Sequence, residues 1–288
     1  MVSEALRLVL PHPDAGRSNT VCGRSCAAVD PGPSQVSQWA ALLRAAEGGS
    51  PPEVYVPPSR ACDLAWYRWV VGHQAAFLEW SLLRAVLLRE GPESADESVQ
   101  LLDLYSTLLL YAGSCPPVLY QQAIRPRMAR AHPAFSGEWA PDHEGLPQLL
   151  KRAADVGPPT VAGAVRRSHR VHVAVAEHLV PGGVSLLQQA GRSAGGPPSS
   201  QERALYDRFF LVSRGPVCTH ALDVQLLHRL LRILVDVEGG GLYYGGPPVS
   251  AAASGGFNEI AELEQTVLTR LRAQGTKLAA SMQDKPHQ

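Results

Sequence analysis

Helical periodicity, unrelieved by any sustained two-residue alternation, most limits what this chain can fold into. Across residues 61–90, Leu64, Tyr67, Val71, Leu78, Leu82, Ala85 and Leu88 recur at three- and four-residue steps, the spacing that lines one face of a helix. Gly91-Pro92 marks its end, because glycine and proline do not continue a helix well. The same logic predicts helices over 98–113, 118–130, 146–154, 160–180, 201–212, 216–237 and 257–272. Strand signals are weak throughout. The expected fold class is all-α, a helical bundle.

The first fifty residues are rich in Gly, Pro, Ser and Ala, with one short amphipathic piece at 36–46. Residues 1–58 are therefore expected as a partly flexible N-terminal arm, 59–274 as the helical catalytic domain, and 275–288 as a polar tail. The stretch 132–139, His-Pro-Ala-Phe-Ser-Gly-Glu-Trp, is long for a connector, the kind of loop that carries function.

Lys and Arg total 26, as do Asp and Glu, for a formal net charge of zero. That lacks the basic footprint of a nucleic-acid binder and the polybasic patch that seeks anionic lipid. No apolar run approaches the roughly 20 residues that span a bilayer. No secretory leader is expected from the opening residues, and five cysteines make an unsuitable disulfide framework. Cys22 and Cys26 lack a second pair to close a zinc site. A cytoplasmic protein is expected, with no nucleic-acid or membrane partner.

Chemistry then falls to the ten histidines. No phosphate loop, Gly-x-Ser-x-Gly elbow or His-Glu-x-x-His pair occurs, and the paired Glu-x-x-His of di-iron bundles is missing. Two places stand out. Gly72-His73-Gln74 lies mid-helix among Trp66, Tyr67, Trp69, Phe77 and Trp80, where a polar pair must be satisfied. His73 reads either as a core histidine bonded to a backbone carbonyl or as an active-site base of ordinary pKa near 6.5. Arg166 and His169 share a face of a later helix. They read either as part of a solvated basic face or as an iron ligand with a cation beside it. Heme iron in helical proteins commonly takes such an imidazole. His172, His178, His220 and His228 remain open as alternative ligands.

These segments resemble tryptophan 2,3-dioxygenases. Val71-Gly72-His73-Gln74-Ala75 with Trp80 is similar to that family's distal His-Gln-Ala…Trp helix. Ala123-Ile124-Arg125-Pro126-Arg127-Met128 followed by Ser136-Gly137 resembles its substrate-binding stretch. Arg166-x-x-His169 resembles its axial helix, and Pro181-Gly182-Gly183-Val184-Ser185 stands where it has a Gly-rich loop. The better likeness is to compact relatives, the heme-dependent tyrosine 3-hydroxylases and β-methyltryptophan oxygenases of natural-product pathways. The resemblance implies heme b held by His169, with Arg166 beside a propionate and His73 as catalytic base over the distal face. Arg125, in competition with Arg127, would grip the substrate carboxylate, and Ser136 and Trp80 would border the substrate. It further implies a free aromatic amino acid as substrate, L-tyrosine first, with hydrogen peroxide or dioxygen as oxidant, and a homo-oligomer. The alternatives are oxidation of tryptophan or a methyltryptophan, and a non-enzymatic helical binding protein.

Overall fold

The structure, a computed structural model, describes residues 6–13, 39, 55–89, 92–182, 184–192, 196–251 and 257–283. In chain order the described elements begin with strand β1 (Leu8–Leu10), helices α1 (Ala61–Leu87), α2 (Pro92–Ala112) and α3 (Pro117–Leu119), a π-helical turn (Tyr120–Ile124) and α4 (Arg125–Ala131). They continue with α5 (Leu146–Val156), α6 (Pro159–Leu179), α7 (Leu186–Gln189), α8 (Ser200–Phe209), strand β2 (Val212–Arg214), α9 (Thr219–Gly240) and α10 (Phe257–Gln283). The chain is an all-α bundle, as its periodicity requires. No described helix is long and apolar enough to cross a membrane.

Two glycines set how closely the central helices approach. A Cβ on Gly72 of α1 would fall 2.8 Å from the Cβ of Ala112 in α2, well inside the about 3.5–4.0 Å of carbon contact. A Cβ on Gly113, just past α2, would meet Val175 Cγ1 of α6 at 2.4 Å. Helix α2 therefore carries α1 and α6 on two of its faces. Helix α5 also touches both, while α1 and α6 make few contacts with each other.

Buried charge networks fix this frame. Arg68 of α1 is fully buried and donates to both oxygens of Asp236 in α9, at 2.7 and 2.8 Å, and to Ser114 Oγ at 2.9 Å. Tyr111 of α2 donates to the same carboxylate at 2.8 Å. Asp103 of α2 accepts from Arg167 of α6 and from Arg270 of α10, tying three helices at one point. Such pairs hold register; removing one partner would leave an uncompensated buried charge.

Four features differ from the sequence expectation. First, a short parallel sheet exists: β1 pairs with β2, Leu8 opposite Val212. Leu6, Leu8 and Leu10 are buried, a period-two pattern too brief to stand out. Gln225 of α9 satisfies the other edge of β1, donating to Val9 O at 2.9 Å and accepting from Val9 N at 2.8 Å. Ahead of residue 59 the described residues thus pack against the body, with Trp39 and Tyr55 buried beside His228. The remainder of the 36–46 piece lies outside the described residues. Second, α2 starts at Pro92, proline being suited to a first helical turn. Third, the expected helix over 118–130 contains the π turn. Pro126 has no N–H and crowds the carbonyl four residues back, and a bulge relieves both. Fourth, the stretch from 275, expected as a polar tail, continues α10 to Gln283 with Leu278, Ala279 and Met282 buried.

Candidate active site

Along one face of α1, Trp66, Trp69, His73, Phe77 and Trp80 recur at helical spacing and form a continuous stripe. Ring centroids step from Trp69 to His73 at 4.3 Å, His73 to Phe77 at 6.3 Å and Phe77 to Trp80 at 5.4 Å. Helix α8 and the residue after it cover the stripe. Phe210 stacks on His73 at 4.6 Å, with the ring planes 20° apart, and Phe209 stands edge-on to Trp66 at 5.2 Å. Leu211 makes this possible by turning the chain with a left-handed backbone, φ 58°, a costly conformation for a non-glycine residue. Its carbonyl accepts from Leu8 N at 3.1 Å, so the turn is held by β1. Tyr120 of the π turn approaches Trp69 at 5.6 Å.

Each residue of Gly72-His73-Gln74 has its own task. Gly72 permits the helix crossing. Gln74 is fully buried and donates to Leu6 O and Phe210 O, each at 2.7 Å, while accepting from Arg229 Nε at 3.2 Å. It therefore anchors both β1 and the Phe210 turn. His73 lies against the Trp69 carbonyl, 2.7 Å from Nδ1. A carbonyl only accepts, so Nδ1 carries the proton and the Nε2 lone pair is free.

The His73 pKa is pushed down to about 4, first by burial and further by His172; the bond to the Trp69 carbonyl opposes this. The ordinary value near 6.5 expected from sequence is corrected accordingly: His73 is neutral throughout the physiological range. The His172 that acts on it belongs to α6. His172 is open to solvent, yet surrounding protein lowers its pKa and His169 lowers it further. His143, in the turn Pro141–His143, packs on Trp80 at 4.8 Å. Its pKa is lowered by burial, then by His172 and Arg84.

Imidazoles from three places thus lie within electrostatic reach of one another: His73 on α1, His143 on a loop, and His172 with His169 on α6. Arg166 and His169 are both exposed on α6, with Val173 48% exposed on the same helix. Trp80 ends the stripe, with Tyr105 of α2 5.8 Å away. Arg125 opens α4 and donates to Val184 O at 2.7 Å, bracing the chain after α6. Ser136 caps the turn Gly137–Trp139 by accepting from Glu138 N at 3.2 Å. Gly183 lies outside the described residues. Two other ligand candidates have partners elsewhere: His178 is buried and bonded to the Cys115 backbone, and His228 Nδ1 is hydrogen-bonded to the Tyr55 hydroxyl at 2.8 Å. His143 and Phe210 escaped the sequence reading, since long-range packing alone brings them to the stripe.

Among the described residues no three His, Cys, Asp or Glu side chains converge as metal ligands. A bare metal ion is poorly served by that donor set. A porphyrin iron needs only an axial imidazole and an apolar, aromatic wall; the α1 stripe offers such a wall, and α6 carries exposed imidazoles at His169 and His172. The Trp69 carbonyl holds the Nδ1–H of His73 and leaves its Nε2 as an acceptor. The Nε1–H of Trp69, beside it, is buried without a partner among the described residues.

An aromatic stripe with imidazoles beside it, in a helical bundle, is a setting for oxidative chemistry on an apolar or aromatic substrate, and the family comparison agrees. A family model described as SfmD 3-methyl-L-tyrosine peroxygenase matches residues 2–169. The match spans more than half of the chain, so this protein belongs to that peroxygenase family. No curated protein matches it. The matched region holds β1, the α1 stripe, His143 and α6 as far as His169. The cover supplied by Phe209 and Phe210 lies beyond it.

Proposed function

We propose that this protein uses heme b and hydrogen peroxide to hydroxylate the ring of a free tyrosine-type amino acid in natural-product biosynthesis. What supports the reading is His73, seated in an aromatic wall with its Nδ1 held by the Trp69 carbonyl and electrostatically coupled to His172 of α6. Heme, when bound, supplies oxygen transfer from peroxide. The α6 helix would hold it through His169, the residue marked by its Arg-x-x-His pattern, or through His172, the imidazole that acts on His73. Arg166, exposed beside His169, is available to a propionate.

His73 works through Nε2. Being neutral at physiological pH, it accepts a hydrogen bond from peroxide or from the phenol and takes a proton only transiently. Trp69, Phe77 and Phe210 fix the ring of His73 and exclude bulk water from it. Trp80 and the 132–139 loop with Ser136 border the substrate. One of the two arginines at the start of α4 receives its carboxylate. L-Tyrosine giving 3,4-dihydroxyphenylalanine and 3-methyl-L-tyrosine are both substrates of this kind, the second favoured by the family description. A homo-oligomer in the cytoplasm remains the expectation.

The test is spectroscopic and kinetic. Purified protein should carry a Soret band and convert L-tyrosine or 3-methyl-L-tyrosine with peroxide. His73→Ala should keep the heme and lose most hydroxylation. Of His169→Ala and His172→Ala, the one that removes the ligand should lose or loosen the heme. Colourless protein that takes up no hemin would refute the reading in favour of a non-enzymatic helical binding protein. Turnover of tryptophan or a methyltryptophan with neither tyrosine would move the substrate to the indole class.

A further inference from the structure

Helix α8 meets the charge of its side chains with one exception. Glu202 is held by Arg192, Arg203 by Glu144 and Asp207 by Arg214. The exposed Arg208 has no ionic partner among the described residues. It borders a cavity of about 520 Å³ that runs along one face of α8. Gln201, Ala204, Leu205 and Arg208 form that face, at three- and four-residue steps, and His132 at the end of α4 stands across from it. The volume is that of a small-molecule site. On the opposite face of α8, Tyr206 and the following Phe210 meet Phe77 of the α1 stripe, so the cavity and His73 lie on different sides of the helix.

The polar groups of the cavity are complementary in kind. His132 Nδ1 accepts from the Ala134 amide at 3.0 Å. An amide N–H only donates, so the neutral ring carries its proton on Nε2, a donor without an acceptor among the described residues. Trp139 holds the ring edge-on, 5.0 Å between centroids. Arg208 and His132 thus offer a cation and an N–H to an anion. Glu202 offers the opposite charge. Arg192 first, and then the Ser199 amide, hold its pKa down at about 2. Its carboxylate accepts from Ser199 N at 2.8 Å, Ser199 Oγ at 2.9 Å and Arg192, which leaves about one of its roughly four lone-pair positions for a further donor. The Glu202 amide is already capped by Ser199 Oγ at 3.2 Å, so the donors of the cavity are side chains and not the helix end. Ala204 and Leu205 line it with apolar surface. A cation, a carboxylate and an apolar patch within one small cavity match an α-amino acid with an apolar side chain.

We propose that this cavity is a second amino-acid site, separate from the stripe around His73. Arg208 and His132 hold the α-carboxylate, Glu202 holds the ammonium group, and Ala204 and Leu205 take the side chain. The site needs neither heme nor any segment that carries the dioxygenase resemblance. Leu205 stands one turn before Phe209, so an occupant steadies the helix that covers His73.

The test is a titration of the purified full chain followed by NMR of the histidine and tryptophan rings, with the Soret band recorded in parallel. The probe is L-phenylalanine; 3-phenylpropionate lacks its ammonium group and phenethylamine lacks its carboxylate. L-Phenylalanine should shift the His132 and Trp139 signals saturably, and each analogue should bind there about 10-fold more weakly, the loss of one charge-assisted bond. Arg208→Gln removes no ion pair among the described residues. It should weaken L-phenylalanine at His132 on the order of 10-fold with the Soret band unchanged, and Arg208→Lys should fall in between. Unmoved His132 signals at the solubility limit of L-phenylalanine overturn the proposal, as does wild-type affinity in Arg208→Gln. Binding of 3-phenylpropionate as tight as that of L-phenylalanine overturns the ligand class, leaving a simple anion site. A Soret shift without movement at His132 places the amino acid at the stripe alone and also overturns it. Protein that takes up no heme defeats the function proposed above and leaves this test intact.

Discussion

Replacing Gln74 by leucine keeps the volume and removes three hydrogen bonds at a point that supports both the N-terminal strand and the cover of His73. Phe210 O loses its 2.7 Å donor, and Arg229 Nε loses its acceptor. Leu6 O keeps only a 3.4 Å contact from Arg229 Nη2. Two buried groups left unmet at about 1–3 kcal/mol each, with a third weakened, cost about 3–5 kcal/mol. The apolar side chain returns about 1–2 kcal/mol through burial. The net loss should be about 1–4 kcal/mol, a large share of the about 5–15 kcal/mol that stabilises a typical fold. Urea unfolding measures the total. Hydrogen exchange localises it: the Leu8 amide, bonded to Leu211 O, should exchange faster than amides in the middle of α2. With Phe210 loosened, the pKa of His73 should rise from about 4 toward 6.5, read by NMR from its ring protons. Stability within about 0.5 kcal/mol of wild type, the scatter of surface substitutions, together with an unchanged Leu8 exchange rate, would refute the reasoning.

Two further predictions concern packing and pH. Gly72→Ala should gain about 1 kcal/mol in helix propensity and lose about 1–3 kcal/mol by driving a methyl into Ala112, a net destabilisation in urea. Adding Ala112→Gly should restore most of it, and strictly additive effects would show that the crossing is not the cause. His228 is hydrogen-bonded to Tyr55, and its pKa is pushed down to about 4 by burial, then by Arg229 and Arg232. A histidine lowered on folding leaves the unfolded chain to take the proton first. The stability it contributes is therefore present above pH 6.5 and is lost as pH falls toward 4, about 2 kcal/mol of it between pH 7 and 5. Urea unfolding at the two pH values should reveal that loss in wild type and a correspondingly flatter response in His228→Gln; equal responses would contradict it.

The helices were legible because apolar spacing and Gly-Pro stops are local signals. The end of α10 was not, since Lys277 and Gln274 sit on its outer face and masked Leu278 and Met282 on the inner one. The start of α2 hid behind polar first-turn residues, which suit a helix beginning as well as a loop. At the site, His73 was legible as a lone imidazole in an aromatic stripe, and its carbonyl bond is the feature that the core-histidine reading named. The role of Gln74 was not legible. Its partners Leu6, Phe210 and Arg229 are 68, 136 and 155 residues away, and no local pattern reports such distances. His143 was hidden for the same reason, as a loop residue given meaning only by Trp80 and His172.

The imidazoles and their cover come from different parts of the chain. His73, His143, His169 and His172 fall within a hundred residues, and the family match ends at His169. Tyr206, Phe209 and Phe210 come from α8 and the turn after it, tied back through Gln74 and β1. Substitutions in α8 can therefore reshape the aromatic wall without altering any imidazole. Changes on α1 cannot be so selective, because Gly72, His73 and Gln74 combine packing, the proposed chemistry and anchoring in three consecutive positions. Substrate choice within the family is accordingly expected to follow residues 205–211 more than the histidines. Exchanging Phe209 for leucine should change the preference between L-tyrosine and 3-methyl-L-tyrosine while the Soret band stays in place. A Soret band altered by that exchange would mean that cover and imidazoles are not separable.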